Sequence, residues 1–360
     1  MIMSERIIKV GVCGLGRIGR LGHIAELGAL PHQFQIVAVA DTTPERLKDL
    51  PEPAKNARTY HSLEEMLQDP EIEMVTIGTR HRDHTPMALK ILAANKIAVV
   101  EKPVATSVAE METLRQAAAQ HPHRLFFRHN RRFEPAFHKI RELLRNGIVG
   151  DVQYIKLHRS VGFCRRNDWM TMPEFYGGLL TNWGPHLIDQ ALQLLDAPVT
   201  QIWADVRHVV SIGAGDDLFK ILLTAENGRL ADIEVSGCNA LPGREVEVIG
   251  TRGTLVSENC NDGKIRVRCL EPECARATLQ PHPENPPLAY GNFDEKLAFI
   301  DATYETPNDL PSIWSTYYDE IVRGIPCPVT FDQAAEVVRV TEEVFRVSGF
   351  QPQPLPNADR

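Results

Sequence analysis

The first part of the chain alternates short, continuously apolar runs with stretches whose apolar residues recur at helical spacing. The apolar runs are Ile7–Cys13, Ile36–Asp41, Met74–Thr79 and Ile97–Glu101. The helical stretches include Glu64–Gln68, Met87–Asn95 and Ser107–Gln120. A continuous apolar run is typical of a parallel strand that is buried on both faces of its sheet. The alternation therefore predicts a doubly wound parallel sheet of the Rossmann type, with right-handed crossovers.

Beyond this part, the pattern changes to longer strands in which apolar and polar residues alternate. The predicted strands are Asp151–Arg159, Gln201–Val209, Leu218–Ala225, Arg229–Gly237, Glu245–Gly250 and Thr254–Glu258. The predicted helices are Phe133–Asn146, Leu179–Leu195, Ser312–Arg323 and Asp332–Ser348. Turn residues at Glu226–Gly228 and Thr251–Gly253 predict hairpins. Consecutive hairpins predict a large, open, mostly antiparallel sheet, with one face on helices and the other free to meet a second subunit.

The two patterns together predict an α/β protein with two domains. We expect a dinucleotide-binding Rossmann domain over residues 1–125, which ends near the apolar run Arg124–Phe127. An α+β domain that binds substrate and mediates oligomerisation is expected over residues 126–360, with a proline-rich loop at Pro281–Pro287. A homodimer or homotetramer that forms through the second sheet is the expected assembly.

The composition is that of an ordinary globular protein. Of the 360 residues, 43% are hydrophobic and 24% are charged, which excludes a disordered chain. The net charge of −8 gives no electrostatic reason to bind nucleic acid or an anionic membrane. No run of about 18 apolar residues could span a bilayer. The first apolar segment leads into a glycine loop instead of a cleavage site, so we expect a cytoplasmic protein.

The cysteines and histidines give little support to a metal site or a disulfide framework. The chain has seven cysteines and no C-x-x-C pair, so buried or incidental thiols are expected. His81 and His84 lie close together, but no clear third ligand is near them in sequence. We therefore expect no metal.

The strongest chemical motif follows the first predicted strand. Gly14, Gly16 and Gly19 form a G-x-G-x-x-G pattern that opens a helical stretch. In such a pattern the first glycine permits a tight turn, the second lets the backbone approach a pyrophosphate, and the third lets the helix pack on the strand. The N–H groups at the start of the helix then face the phosphates. A dinucleotide site is therefore predicted.

An acidic residue at the end of the second predicted strand bears on which dinucleotide binds. Asp41 lies 22 residues after the loop, where a carboxylate accepts hydrogen bonds from the adenosine ribose. Because a carboxylate repels a 2′-phosphate, NAD is favoured over NADP. Thr42, Thr43 and Arg46 could accommodate a phosphate if Asp41 turned away. A simpler alternative is that Asp41 only caps the next turn.

Further motifs complete a resemblance to a known family. Glu101-Lys102-Pro103 closes the fourth apolar run, and Thr79 and His84 follow the third. In the second domain, Tyr176–Asp189 forms a glycine-rich turn followed by a helix, and Asn130–Pro135 joins the two domains. With the glycine loop, these segments resemble the family of glucose–fructose oxidoreductase, inositol dehydrogenase and the rhizopine catabolism protein (Gfo/Idh/MocA), over essentially the whole chain.

The resemblance implies an NAD(P)-dependent enzyme that transfers a hydride between the nicotinamide and a secondary alcohol or ketone of a sugar, polyol or sugar derivative. The family's lysine near the nicotinamide and the reacting oxygen corresponds to Lys102. The family's helix carries an aspartate and, four residues later, a histidine. The histidine corresponds to His186, whereas Asn182 stands at the aspartate position. The implied cofactor contacts are Gly14, Gly16, Arg17, Ile18, Gly19, Asp41, Thr42, Thr79, His84, Glu101, Lys102 and Asn130.

The chemistry of these side chains suits the oxidation of an alcohol. The imidazole of His186 can take the hydroxyl proton near neutral pH, and the ammonium of Lys102 can stabilise negative charge on the oxygen. Positions 182 and 186 share one helix face, so Asn182 can hydrogen-bond the same substrate. We therefore assign His186 to proton transfer, Lys102 to electrostatic stabilisation and Asn182 to binding. The reverse assignment, with Lys102 as the base, stays open.

Several other residues are candidates for substrate binding. The predicted substrate contacts are Asn182, Lys102, His186, Trp169, Asp168 and Arg132. Trp169 matches a tryptophan that lies near the nicotinamide in some family members, and its face could stack on a sugar ring; plain packing is the alternative. His186 could also be a satisfied core histidine, and Lys102 a surface residue at a strand end. Asp189 is expected to be structural.

Two other functional classes compete with a dehydrogenase. Some relatives oxidise their substrate transiently with bound NAD, eliminate or hydrolyse a glycosidic bond, and then reduce the product. A few proteins of this fold resemble regulators that bind a dinucleotide or sugar without catalysis. Asn182 favours the regulator, whereas the retention of Lys102 and His186 argues against it.

Overall fold

The structure is a computed structural model that describes residues 6–162, 166–272, 274 and 297–352. It contains a six-stranded and an eight-stranded sheet with helices packed on them. The predicted α/β class is confirmed, with a parallel Rossmann sheet followed by a mostly antiparallel one. The predicted loop Pro281–Pro287 and the thiol of Cys164 lie outside the described residues.

The first sheet is entirely parallel and has the strand order β3-β2-β1-β4-β5-β6. Its strands are β1 (Ile8–Cys13), β2 (Phe34–Ala40), β3 (Arg58–Tyr60), β4 (Met74–Ile77), β5 (Ile97–Glu101) and β6 (Leu125–Arg128). The apolar side chains of β1, β4 and β5 are buried on both faces, as a central parallel strand requires. The carboxyl ends of all six strands therefore lie at one edge of the sheet.

Four helices accompany this sheet. They are α1 (Ala25–Gly28), α2 (Leu63–Leu67), α3 (His84–Ala93) and α4 (Val108–Gln120). A π-helical turn, Gly19–Ile24, leads from the glycine loop into α1. Ser62 and Ser107 cap α2 and α4, and each hydroxyl accepts a hydrogen bond from the backbone N–H three residues later.

The second sheet has the strand order β14-β13-β12-β11-β7-β10-β9-β8. Its strands are β7 (Val152–Ser160), β8 (Val199–Arg207), β9 (Leu218–Ala225), β10 (Leu230–Ser236), β11 (Val246–Gly250), β12 (Gly253–Ser257), β13 (Lys264–Leu270) and β14 (Phe299–Glu305). All neighbours are antiparallel except β7 and β10. The β9–β10 and β11–β12 pairs are the predicted hairpins.

The remaining helices are α5 (Pro135–Arg145), α6 (Leu179–Asn182), α7 (Gly184–Leu195), α8 (Ile313–Tyr318) and α9 (Phe331–Ser348). The prediction of one helix over Leu179–Leu195 is wrong, because α6 and α7 are separated at Trp183. Pro185 has no backbone N–H and cannot continue the hydrogen-bond ladder of α6. The N–H of His186 instead bonds the carbonyl of Trp183 at 3.1 Å, which leaves the Asn182 carbonyl free of the helix.

The chain returns to the first domain after it has built the second. Trp314, Tyr317 and Tyr318 of α8 are fully buried in the core of the Rossmann sheet. Helix α9 contributes side chains to both cores, for example Ala334 to the first and Val340 to the second. The domain boundary between residues 125 and 126 stays a prediction. In the structure, β6 spans this boundary, and α8 packs on the N-terminal domain.

Candidate active site

The predicted cofactor residues lie on the segments that follow the strands of the first sheet. The glycine loop follows β1, Asp41 and Thr42 follow β2, and Thr79 follows β4. His84 begins α3, Glu101 ends β5 with Lys102 directly after it, and Asn130 follows β6. In an open parallel sheet this edge is where ligands bind, because the strand order reverses there.

The glycine loop has the shape that a pyrophosphate requires. Gly14 has a φ of +91°, and a Cβ there would lie 2.6 Å from the Gly78 carbonyl oxygen. A Cβ at Gly19 would lie only 1.9 Å from the Gly14 carbonyl oxygen, so the third glycine is needed for the tight turn. A Cβ at Gly16 would meet no atom within 4 Å. The space beside this backbone is therefore open, and the loop fits a dinucleotide.

Asp41 fastens the glycine loop to the end of β2. Its Oδ2 accepts a hydrogen bond from the Leu15 N–H at 2.7 Å, and its Oδ1 accepts one from the Thr43 N–H at 2.8 Å. Arg46 lies 3.4 Å from the same carboxylate through Nη1, with an exposed side chain. The carboxylate is thus held at the mouth of the loop, beside a cation that could approach a 2′-phosphate.

Lys102 extends from the first domain to the end of α6 in the second domain. Its Nζ donates to the backbone carbonyl of Asn182 at 2.9 Å and to the side-chain Oδ1 of Asn182 at 3.0 Å. This carbonyl is the one that stays outside the helical ladder because the His186 N–H bonds Trp183 instead. An ammonium has three N–H donors, so two hydrogen bonds to Asn182 leave one for a substrate oxygen.

The position of α6 is set by a buried aspartate. The Leu180 N–H donates to Oδ2 of Asp216 at 2.7 Å, and the Leu179 N–H donates to the Asp216 carbonyl at 2.9 Å. Burial raises the pKa of Asp216 to about 7. Gly178 has a φ of +143°, and a Cβ there would lie 2.0 Å from Asp216 Oδ1. The glycine-rich turn therefore lets the carboxylate cap α6 closely enough to fix Asn182.

The charge of Lys102 is weakened by its surroundings. Burial lowers the pKa of Lys102 to about 8. The carboxylate of Glu101 opposes this change, whereas the positive charges of Arg131, Arg128 and Arg17 add to it. At pH 7 the side chain is mostly cationic, and a modest rise in pH neutralises it.

His186 is neutral in the same cleft. Burial lowers the pKa of His186 well below its usual range, and the charges of Lys102 and Arg131 lower it further. Its Nδ1 is buried without a hydrogen-bond partner among the described residues. The ring packs edge-on against Trp183, with the centroids 6.1 Å apart. A neutral imidazole can accept a proton, but a pKa lowered by burial and by neighbouring cations makes it a weaker base than a free imidazole.

A buried ionic network behind Lys102 was missed by sequence reasoning. Arg128 is only 1% exposed and donates to Glu101 at 2.5 Å and to both carboxylate oxygens of Glu26, at 2.6 and 2.5 Å. Trp314 of α8 donates its indole N–H to Glu26 at 2.6 Å, and His23 bonds Glu101 at 3.0 Å. No local motif signals this cluster, because its members come from four distant segments.

The network explains the state of the carboxylate beside Lys102. Burial by itself raises the pKa of Glu101, but Arg128 and His23 outweigh it and hold the pKa well below its ordinary value. The ionised Glu101 also accepts a hydrogen bond from the Lys102 N–H at 3.1 Å. The Glu-Lys-Pro segment is therefore fixed by buried charge as well as by the strand.

Trp169, the aromatic side chain predicted to contact substrate, packs against a histidine. The rings of Trp169 and His81 pack edge to face, with their centroids 4.8 Å apart. His81 Nδ1 bonds the Tyr176 carbonyl at 2.8 Å, which ties the segment after β4 to the glycine-rich turn. His84 bonds the Pro103 carbonyl at 2.7 Å, and its Nε2 has no partner among the described residues.

Two predicted substrate residues have structural partners. Arg132 forms a buried, bidentate ion pair with Asp189, and its Nη1 donates to Gln333 and to the Pro328 carbonyl. The prediction that Arg132 contacts substrate is therefore not supported by the structure, since its guanidinium is directed at α7 and α9. Asp168 caps a short 3-10 turn through the Met170 N–H, at 3.0 Å.

Neither a metal cluster nor a disulfide is found in the described part of the chain. No group of three or more His, Cys, Asp or Glu side chains there could hold a metal ion. The six described cysteines are all free thiols. None of the helices in this part is both long and apolar enough for a transmembrane span.

Comparison with known families matches both domains. Residues 8–129 match the model of the GFO/IDH/MocA oxidoreductase family with its NAD-binding Rossmann fold, and residues 137–256 match the GFO/IDH/MocA C-terminal domain. The chain belongs to the Gfo/Idh/MocA family. It is therefore an NAD-binding oxidoreductase, and the resemblance seen in its sequence motifs is confirmed.

Individual relatives agree with this assignment. The chain is 30% identical to the uncharacterized oxidoreductase YrbE of Bacillus subtilis over 271 residues, which cover 74% of this chain and 77% of YrbE. It is 28% identical to the NADP(+)-dependent scyllo-inositol 2-dehydrogenase IolW of Bacillus subtilis, over 95% of this chain and 94% of IolW. Among solved structures, an NAD-binding protein of Listeria innocua superposes with a TM-score of 0.81 at 23% identity, over 95% of each chain.

Proposed function

We propose that this Gfo/Idh/MocA oxidoreductase is a dehydrogenase for a secondary alcohol of a sugar, polyol or sugar derivative. The observation that carries the proposal is the grouping of three side chains at the carboxyl ends of the parallel strands. A cationic Lys102 with one free donor lies there beside Asn182 and a neutral His186, at the strand ends that bear the glycine loop. The name of IolW, an inositol dehydrogenase, supports the same substrate class.

Each of these residues has a separate role in the proposed reaction. Bound NAD or NADP supplies the hydride acceptor. Lys102 donates a hydrogen bond to the substrate oxygen and stabilises the negative charge that develops there. His186 takes the hydroxyl proton, which its neutral state permits. Asn182 holds the ammonium of Lys102 in place and binds the substrate through its amide N–H groups.

We propose NAD as the preferred cofactor. Asp41 lies at the mouth of the loop with its carboxylate held by two backbone N–H groups, where it repels a 2′-phosphate. Arg46 is the feature that opposes this preference, because its guanidinium borders the same carboxylate. IolW uses NADP(+) by name, so the choice differs within the family and needs a direct measurement.

The first experiment is absorbance at 340 nm with NAD and then NADP, across inositols, aldoses, sugar acids and glycosides. NADH formation with a polyol or sugar is the expected result. Binding of NAD without any net NADH on this panel would contradict the dehydrogenase. Cleavage of a glycoside in that case would identify the redox-cycling class, and no turnover at all would identify the regulator.

The two candidates for the base, His186 and Lys102, predict opposite pH dependences of kcat/KM. If Lys102 must be cationic, kcat/KM for alcohol oxidation falls as the pH rises through about 8, because the ammonium loses its proton. If Lys102 is instead the base, kcat/KM rises through the same pH. We expect the fall. A rise that disappears in Lys102→Ala would move the base from His186 to Lys102.

We also propose that two copies pair through the outer face of the second sheet. Its inner face is covered by α5, α7 and α9, whereas Tyr154 and Trp203 on the outer face are each 52% exposed. On the same surface Lys156 pairs with Glu247 and Asp232 pairs with Lys220, so these charges are neutralised within the sheet. A dimeric or larger mass in solution is expected, which Trp203→Lys reduces; a monomeric mass of the unmodified protein would rule out the pairing.

A further inference from the structure

A large cavity lies away from the catalytic residues, between α5, α7 and α9. Its volume is about 980 Å³, enough for a small organic molecule. Lys102, Asn182 and His186 are absent from its lining. Arg132 and Asp189 belong to that lining, and Asp189 is one turn along α7 from His186. The cavity therefore adjoins α7, which carries His186, without including the proposed catalytic side chains.

Four of the ten charged side chains around the cavity neutralise one another, and a fifth pairs with an arginine outside the lining. Arg132 pairs with Asp189, and Arg339 pairs with Glu336. Asp332, which also lines the cavity, pairs with Arg115 at 2.8 Å. These pairs leave little net charge on the walls that α7 and α9 contribute.

Helix α5 contributes two arginines that lack such partners. Arg141 and Arg145 line the cavity four residues apart, the first half-buried and the second exposed, and neither side chain forms an ion pair or hydrogen bond with any described residue. Two like charges at this spacing destabilise a helix. Asp151 and Asp196 are exposed at the cavity and do not pair with either guanidinium.

The surroundings of Arg141 are unfavourable to its charge. Arg141 is half-buried, with its guanidinium 5.9 Å from the ring of Phe137. Burial lowers the pKa of Arg141, and the neighbouring Arg145 and Arg132 lower it further, while Asp189 and Asp196 oppose them. Because an arginine stays protonated under ordinary conditions, an oxyanion that pairs with Arg141 would offset this cost of burial.

We propose that the cavity is a second binding site, for a small polyanion whose phosphate or carboxylate groups pair with Arg141 and Arg145. Guanidinium groups bind both kinds of oxyanion through two parallel N–H donors, which makes paired arginines specific for them. The volume leaves room for the organic part of a phosphate ester or a polycarboxylate. Because the cavity and the glycine loop are separate, the anion and NAD bind at the same time.

Calorimetric titration of the NAD-saturated protein tests the proposal. The probes are glucose 6-phosphate, citrate and inorganic phosphate, at constant ionic strength set with chloride. Saturating NAD occupies the glycine loop, so that the probes cannot bind where the pyrophosphate does. The variant Arg141→Gln/Arg145→Gln removes both unpaired charges. Arg346→Gln is the matched control, since Arg346 lies on α9 outside the cavity and pairs with Glu343.

We expect saturable binding of at least one probe, weakened tenfold or more in the double variant and unchanged in Arg346→Gln. The tightest of the three probes then identifies a phosphate ester, a polycarboxylate or free phosphate as the ligand type. Unchanged NAD affinity verifies that the double variant is folded. The proposal is overturned if no probe binds saturably to the unmodified protein, or if the double variant and the control bind equally well.

Discussion

The two sides of the cleft are built in different ways. On the cofactor side, the fit depends on backbone shape, because a Cβ at Gly14 or Gly19 would collide with the backbone and Gly16 borders open space. On the substrate side, the chemistry depends on side-chain charge, because burial and neighbouring cations set the protonation of Lys102 and His186. The glycine loop is therefore altered mainly by added side-chain volume, whereas the substrate side can be tuned by single changes of charge.

The largest expected effect tests the backbone side. Gly19→Ala brings a Cβ within 1.9 Å of the Gly14 carbonyl oxygen, so we expect it to lower the free energy of unfolding by about 3 kcal/mol and to abolish NAD binding. Gly16→Val is the contrast, because its side chain enters open space: stability should change by less than about 0.5 kcal/mol while NAD affinity drops. Thermal unfolding and NAD titration measure both. Equal stability of the two variants would contradict the steric explanation.

The next effect tests the charged side. We expect Lys102→Ala and His186→Ala each to lower kcat by about 10²-fold, because each removes a group that acts on the substrate oxygen. NAD affinity should stay near that of the unmodified enzyme. Lys90→Ala is the control, as Lys90 is an exposed lysine of α3 paired with Glu64. Normal turnover of either variant would remove that residue from the mechanism.

A smaller effect is expected when Asn182 is replaced by the aspartate that the family carries at this position. Asn182→Asp sets a carboxylate beside the ammonium of Lys102, now 3.0 Å from Oδ1. This change should raise the pKa of Lys102 by about one unit. The fall in kcat/KM would then move to higher pH by the same amount. Asn182→Ala keeps the backbone acceptor and adds no charge, so its pH profile should show no upward shift; an equal shift in both variants would show that charge is not the cause.

The smallest effect returns to the cofactor side, at its one charged contact. Asp41→Asn keeps an oxygen for the Leu15 or Thr43 N–H groups but removes the repulsion of a 2′-phosphate. We expect the preference for NAD over NADP to fall by roughly tenfold. Arg46→Gln should change the preference in the opposite direction. The ratio of kcat/KM for the two cofactors is the measurement, and an unchanged ratio in Asp41→Asn would argue against a ribose contact.

The cofactor side can be predicted from the sequence more completely than the substrate side. The Rossmann strands and the glycine loop are visible in the sequence because parallel, buried strands are continuously apolar and because the loop is a local motif. Strand β3 was missed since Arg58–Tyr60 is short and polar. Strand β13 was also missed, although Lys264–Leu270 alternates between exposed and buried residues as a half-buried strand should.

The substrate side depends on contacts between distant segments, which no local pattern encodes. The resemblance pointed to Lys102 and His186, but one acceptor that Lys102 bonds is the Asn182 carbonyl, which the break between α6 and α7 leaves outside the helical ladder. The break at Trp183 could have been anticipated from Pro185, since proline ends a preceding helical ladder. The Glu26–Arg128–Glu101 network could not, because its charges become favourable only once burial brings them together.

The return of α8 to the Rossmann core has a consequence for how such proteins can be recombined. Trp314 donates to Glu26, and Tyr317 donates to the Phe127 carbonyl at 3.0 Å, so residues near the C-terminal end complete the N-terminal core. Exchanging the second half of the chain for that of another family member would also exchange these aromatic side chains. The unit that can be transplanted intact is therefore discontinuous, and a working chimera has to carry α8 along with the cofactor domain.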